Sequence, residues 1–334
     1  QARYLDGETV ETIYLGGGTP SLLTAGQTGQ IISAVRKNFS ISDDPEITIE
    51  VNPDDVYEGY FRELAGTGVN RVSLGVQSWN DKRLKYLGRR HDSAQSAKAL
   101  ELVFKEGIVN VSADLIYGLP GMTTSDLKLD IEKTFAWPVT HLSAYHLTIE
   151  EGTRFGKMKK EKRLVETDEE TSNAMFSLLG KMCREKGFIH YEISNFALPG
   201  YISRHNSAYW KQIPYLGLGP SAHSFNRTSR QWNVSDLKKY LRSINSGKVP
   251  FEKEDLDRLT TINEYVMTSL RTMWGIDLEH IEAYYDKELH DYLVNLSDKY
   301  IRYGLMRREK NTLVLTDQGR MISDNIIAEL LMEL

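Results

Sequence analysis

Cysteine is almost absent: one residue, Cys183, in a chain of 334. That excludes an internal disulfide framework and any multi-cysteine metal site built from this chain alone, and it fits a reducing cytoplasm. No apolar run is long enough to cross a bilayer, and no secretory signal is present. Basic charge is not in excess either. Lys and Arg number 41 against 46 Asp and Glu, a net charge of −5, so no global field draws nucleic acid. Two nucleotide-binding signatures are missing. After Gly16 and Gly18, the last glycine of a dinucleotide fingerprint would fall on Ser21, and no Gly-Lys-Ser/Thr follows, which excludes a phosphate loop. What is left is 40% hydrophobic and 26% charged, enough for one large domain and a small one in a cytoplasmic globular protein.

The stretch Thr12-Ile13-Tyr14-Leu15-Gly16-Gly17-Gly18-Thr19-Pro20 organises the rest. A short apolar run breaks into three glycines, which remove every Cβ from a tight turn and let backbone approach a ligand; the same glycines also serve a plain strand-to-helix turn. Similar runs recur at 47–51, 71–76, 109–116 and 141–146, with amphipathic helical stretches at 27–38, 55–65, 94–105 and 125–135. Strand–helix alternation predicts a parallel sheet with helices outside. Each run closes on polar residues: Glu50 and Asn52, Gln77 and Ser78, Asp114, then Tyr145, His146 and Thr148. In a (β/α) barrel those strand ends line the ligand site, so five polar ends point to a shared rim. Arg89 and Arg90, on a loop of that rim, offer bidentate recognition of a carboxylate, or are a surface pair.

Beyond residue 150 the pattern changes. The basic run 157–162 reads as a solvated loop, with Thr167 and Glu170 as the capping box of a helix at 168–186 that carries Cys183 as a core thiol. Residues 188–226 are rich in aromatics and glycine, and include His205-Asn206-Ser207-Ala208-Tyr209-Trp210. These can line the pocket of a flat aromatic ligand, ligate a haem iron, or simply pack an edge of the barrel. From residue 236 onward, helices at 236–246, 263–272, 278–284 and 288–300 precede a hairpin at 304–316, a winged-helix pattern. The candidate recognition helix carries Glu288, Asp291 and Asp298, which repel phosphate, so no nucleic acid is expected.

In order, LGGGTPSLL, ITIEVNPD, RVSLGVQSWN, LGRRH, ADLIYGLPGMT and LSAYHLTIEEGT resemble the oxygen-independent coproporphyrinogen III oxidase-like radical SAM proteins. The resemblance implies a partial (β/α)6 TIM-like barrel, residues 1–235, with its first strand apparently missing, and a small C-terminal winged-helix-like domain, residues 236–334. It implies S-adenosylmethionine, a [4Fe–4S] cluster and an electron donor. By position, Gly17, Gly18 and Thr19 would contact the methionine moiety and Glu50 an ammonium or ribose hydroxyl. Gln77, Arg89 and Asp114 would fix the carboxylate and ribose, and Thr148 and His223 would sit near the nucleoside.

The family has two branches. In one, a 5′-deoxyadenosyl radical starts the oxidative decarboxylation of porphyrinogen propionates to vinyls. The other consists of haem chaperones, which pass haem to haemoproteins and carry HNxxYW. Residues 205–210 match that motif, which makes His205 the candidate axial ligand, with Asn206, Tyr209 and Trp210 beside it. The chaperone branch is therefore expected, with haem-accepting proteins as partners and peripheral membrane contact open; the dehydrogenase is the alternative. One departure is large: the CxxxCxxC loop that holds the cluster in this family is absent, and its cysteines are expected upstream of Gln1.

Overall fold

Residues 1–332 are described by a computed structural model. They divide into two compact units, one made of Val10–Lys37 with Ile41–Ser203, the other of Gln1–Thr9, Asn38–Ser40 and the residues from Arg204 onward.

The first unit alternates strands and helices: β1 (Val10–Leu15), α1 (Ala25–Asn38), β2 (Ile41–Val51), α2 (Tyr60–Ala65), β3 (Arg71–Gln77), α3 (Asp81–Tyr86), α4 (Ser93–Lys105), β4 (Asn110–Tyr117), α5 (Thr124–Thr134), β5 (His141–His146), α6 (Arg154–Lys160), α7 (Glu169–Glu185), β6 (Ile189–Glu192) and β7 (Asn195–Ala197). They form one curled sheet in the order β1-β2-β3-β4-β5-β7-β6. The first five strands run parallel, as expected, and the last two join antiparallel. The strand–helix alternation predicts the parallel sheet with helices outside, and its curl into a half-barrel is what the resemblance implies.

Period-two alternation explains the layering. On β2 to β5, Ile47, Ile49, Val72, Leu74, Val111, Ala113, Leu115 and Leu142 face one way and are at most 1% exposed. They pack against Phe61, Leu64, Leu100, Val103, Leu127 and Ile131 of the helices. Each large aliphatic or aromatic side chain so buried contributes about 1.5–3 kcal/mol. The residues between them are Thr48 and Glu50, Arg71 and Ser73, Ser112 and Asp114, His141 and Ser143. The inner face of the half-barrel is therefore polar, and the apolar core lies between sheet and helices.

Three local expectations are corrected. The basic run is only in part a loop: residues 157–160 lie on the helix α6, which Thr153 caps, and the turn begins at Glu161. The capping residue of α7 is Asp168, which accepts from the Thr171 N–H; Thr167 instead donates to the Gly118 and Leu119 carbonyls. The stretch 55–65 is not one helix. A single 3-10 turn at Pro53–Asp55 and Gly59 at φ +88° precede the short α2. Cys183 is fully buried in α7, and burial pushes its thiol up, as a core position requires.

The second unit holds α8 (Arg204–Trp210), β8 (His223–Phe225), β9 (Ser229–Asn233), α9 (Leu237–Asn245), β10 (Phe251–Asp255), α10 (Arg258–Leu270), β11 (Ile276–Asp277), α11 (Leu278–Tyr284), α12 (Lys287–Arg302), β12 (Met306–Glu309), β13 (Thr312–Leu315), α13 (Asp317–Met321) and α14 (Ser323–Leu330). Strands β8, β9 and β10 form an antiparallel sheet, so 204–235 packs with the C-terminal part of the chain. Helices α10–α12 and the β12–β13 hairpin, with β11 added to its edge, give the winged-helix pattern. Gly275 enters β11 at φ +66°, and a Cβ there would fall on the Leu313 carbonyl of β13. Gly275→Ala combines left-handed strain with a backbone clash and should lower stability by about 3 kcal/mol, measured by urea denaturation.

Candidate functional site

Parallel strands that are neighbours in one sheet bring their C-terminal ends to one edge. Gly16–Gly18, Glu50, Gln77 and Thr148 therefore share the edge made by β1, β2, β3 and β5. At the first position, Gly17 and Gly18 hold φ +74° and +62°. A Cβ on Gly16 would strike the Tyr14 ring and come within 2.9 Å of Glu50 Oε1. The glycines thus let the turn fold against Glu50, which is committed on both oxygens. Oε1 accepts from the Tyr14 hydroxyl at 2.8 Å, and Oε2 accepts from the Gly17 N–H at 3.0 Å. The expectation for Glu50 is refined accordingly: it fixes the glycine turn, and only its remaining lone pairs are open to a ligand. Thr19 is half-buried at the start of the next 3-10 turn.

On β3 the register against β4 shifts between Leu74 and Gln77, a bulge. Gln77 sits there at φ +64°, a strained setting for a non-glycine residue, with 8% of its surface exposed. Gly75 leaves room for its amide, since a Cβ there would be 2.8 Å from Gln77 Nε2. The two adjacent arginines separate cleanly. Arg90 is 60% exposed at its side chain and pairs with Asp54 and Asp55 at 2.7 and 3.1 Å. Arg89 forms no ion pair or side-chain hydrogen bond among the described residues. It is half-buried, feels Asp114 and Asp54 from a distance, and burial holds its guanidinium below its usual range.

Asp114, on the inner face of β4, is the best-supported carboxylate. The Ser73 hydroxyl reaches its two oxygens at 3.1 and 2.8 Å, and the Ser112 hydroxyl donates to it at 2.9 Å. Ser112 also meets His141 Nδ1 at 2.8 Å, and His141 Nε2 meets the Tyr191 hydroxyl at 2.8 Å. Burial pushes the His141 pKa well down, so the imidazole is neutral. One proton arrangement satisfies every contact: Tyr191 donates to Nε2, Nδ1–H donates to Ser112, and Ser112 donates to Asp114. Burial raises Asp114 to about 6, against these hydrogen bonds and the charge of Arg71.

Thr148 is exposed just beyond β5. His223 belongs to the other unit, where it opens β8 and stacks on Trp232 at 6.1 Å. Also in that unit, His205, Asn206, Tyr209 and Trp210 are brought together on α8. His205 and Tyr209 are one helical turn apart and share a face. Nε2 of His205 lies 3.0 Å from the Tyr209 hydroxyl, with the rings edge to face at 5.1 Å. Tyr209 packs on Tyr215, and burial pushes its hydroxyl up to about 12.

A half-buried arginine without a partner, a largely buried glutamine amide and a part-buried carboxylate on one polar face suit an amino-acid carboxylate and a ribose. The imidazole of His205 and its aromatic neighbours suit a haem iron and macrocycle. An iron–sulfur cluster does not fit the residues present. Among the described residues no group of three His, Cys, Asp or Glu side chains can hold a metal ion, and Cys183 is sealed in a core. Tyr14, Ser73 and Arg71 were missed at the sequence level. The alternation in Arg71-Val72-Ser73-Leu74-Gly75-Val76-Gln77 carries the signal for the last two, because it sets Arg71 and Ser73 on the face of Gln77.

Residues 1–133 match the Radical SAM superfamily and residues 256–322 the HemN C-terminal domain. The chain is 32% identical over 328 residues to the heme chaperone HemW of Lactococcus lactis subsp. lactis, covering 98% of this chain and 86% of that one. It is 33% identical over 333 residues to the heme chaperone HemW of Mycobacterium tuberculosis, covering 99% and 83%. Among solved structures, coproporphyrinogen III oxidase (HemN) from Escherichia coli, a radical SAM enzyme, superimposes with a TM-score of 0.82. It does so at 23% identity over 98% of this chain and 79% of that chain, a likeness of fold. Matched almost end to end at this identity, the chain belongs to the HemW family of radical SAM proteins.

Proposed function

We propose that this protein is a haem chaperone: it binds haem through His205 and hands it to haem-accepting proteins, with S-adenosylmethionine held on the rim of the half-barrel. The observation that carries the reading is the HNxxYW segment on α8, in a chain similar over nearly its full length to heme chaperones. The oxidase alternative has less support, because its likeness rests on fold at 23% identity.

In this reading, bound haem would supply an iron that accepts an imidazole ligand. His205 would hold it through Nε2, in place of its contact with the Tyr209 hydroxyl. Tyr209 and Trp210 would cover the macrocycle with aromatic surface, and Asn206 would offer an amide to its polar edge. On the rim, Arg89 takes the carboxylate of the methionine end, Gln77 and Asp114 take ribose hydroxyls, and the Gly16–Gly18 turn brings backbone against the ligand. Thr148 completes the nucleoside side of that site. The described residues offer no ligand set for an iron–sulfur cluster. No helix among the described residues is long and apolar enough to cross a membrane.

Haem titration followed in the Soret band tests the proposal. Wild type should give a saturable shift. His205→Ala should weaken binding about tenfold or more and change the band position. Cys183→Ala should leave both unchanged, because the only thiol is buried. A wild-type titration without a Soret shift would sink the haem assignment.

A further inference from the structure

Arg71 opens β3 on the polar inner face with 1% of its surface exposed, yet it forms no ion pair among the described residues, and its Nε is sealed from solvent without a hydrogen-bond partner. Its register neighbours are Thr48 on β2 and Asn110 on β4. Their Oγ1 and Oδ1 atoms are also buried without partners. Buried polar groups are nearly always satisfied, by protein or by ordered water. One orphan atom is a local defect, but three on consecutive strands in one row form a socket. Nε donates, Oδ1 accepts and Oγ1 does either, which is the donor–acceptor set that holds buried water.

One step along the same face lies Ser73, the residue that donates to Asp114. The charge of Arg71 also acts on Asp114, favouring its ionised form. Other titratable groups face the same lumen. Tyr14 comes from β1, Glu50 from β2, Arg89 from the loop before α4, and His141 and Tyr145 from β5. Of these, His141 is neutral, and Arg89 stands on the rim side, where the ligand carboxylate is proposed to bind. Arg71 is the cation seated in the strand row itself.

We propose that Arg71 is a positioning residue: with Thr48 and Asn110 it holds ordered water in the barrel lumen, and it keeps Asp114 ionised and aimed at the cofactor ribose. The inference rests on the reading of Asp114 as a ribose ligand and adds what sustains it. Burial of the carboxylate favours its protonated form, which would donate one hydrogen bond where two acceptors are wanted. A buried guanidinium, linked through water rather than by direct contact, opposes that shift without taking up the lone pairs that the Ser73 and Ser112 hydroxyls leave open on the carboxylate.

The test is calorimetric binding of S-adenosylmethionine from pH 5 to 8.5 by the full chain. Wild-type affinity should fall on the acid side as Asp114 takes up a proton. In Arg71→Met that fall should begin about one pH unit higher, an approximately tenfold loss at a pH between the two limbs. Arg71→Lys keeps a charge, so its profile should return to within about 0.3 pH unit of wild type. Asp114→Asn should bind weakly with no acid limb. An Arg71→Met profile that overlays wild type overturns the inference while leaving the site reading intact. Wild-type affinity in Asp114→Asn would overturn the site reading itself. Thr48→Val, which removes one water ligand and no charge, covers the case in which Arg71→Met does not fold: its acid limb should move the same way by a smaller step, and an unmoved limb counts against the proposal. A high-resolution structure with no water bonded to Thr48, Arg71 or Asn110 would also overturn it.

Discussion

Arg89→Met should lower the affinity for S-adenosylmethionine about a hundredfold, whereas Arg90→Met should leave it within about threefold. The two residues are adjacent and chemically identical, so composition does not separate them. Their surroundings do. Arg90 is spent on Asp54 and Asp55 at the surface, where ion pairs contribute at most about 1 kcal/mol. Arg89 has been brought half out of water without a carboxylate to meet it, and that desolvation is offset only when an anion arrives. A bidentate guanidinium–carboxylate contact comprises two charge-assisted hydrogen bonds of roughly 1.5 kcal/mol each, which gives the two decades. The same argument sets a second readout. Removing an unpartnered, half-buried charge should leave the unliganded protein as stable as wild type or slightly more so, the signature of a residue kept for binding. Equilibrium dialysis with radiolabelled S-adenosylmethionine and thermal denaturation of both variants measure the contrast. Equal losses in the two would remove Arg89 from the site.

Much of this arrangement could be read from residue order. Runs that alternate apolar and polar residues gave strands whose outer faces belong to the core, and the polar strand ends gave the rim, because parallel neighbours must end on the same side. Gly16–Gly18 signalled a close approach, which the structure assigns in part to the Tyr14–Glu50 pair. Partnership across the sheet was not legible. Nothing local in Arg71 tells that its neighbours in register will be Thr48 and Asn110, and nothing in Arg89-Arg90 tells which one Asp54 and Asp55 will claim. Those facts depend on strand register and loop path, which are tertiary. Helix α6 was missed for a different reason: a run of lysines has good helix propensity, but its charge suggested a solvated loop. The same limit applies to residues 204–235, where β9 pairs with β8 on one side and reaches forward in the chain to β10 on the other, a partnership that no local pattern announces.

Asp114→Asn should make the unliganded protein more stable above pH 6 while weakening S-adenosylmethionine binding by about tenfold or more. The sign follows from linkage. In the unfolded chain this carboxyl titrates near its ordinary 3.8, and in the folded protein at about 6. Below pH 4 both states carry the proton and the group contributes no difference. Between 4 and 6 the unfolded state ionises while the folded state holds its proton, so wild-type stability falls as pH rises. Above 6 both are ionised and the penalty is constant, at most about 3 kcal/mol for a shift of this size, and less where lumen water solvates the carboxylate. Asparagine never ionises, and its amide oxygen can still accept from Ser73 and Ser112. The gain from Asp114→Asn in urea denaturation should therefore be near zero at pH 4, grow through pH 5, and level off above pH 6. A destabilised variant at pH 8 would mean that the serine cradle and Arg71 more than offset desolvation, and that the carboxylate is a structural anchor. The expected opposite pair of effects, more stability and less ligand, is what a group held ionised against burial for the sake of a bound hydroxyl should show.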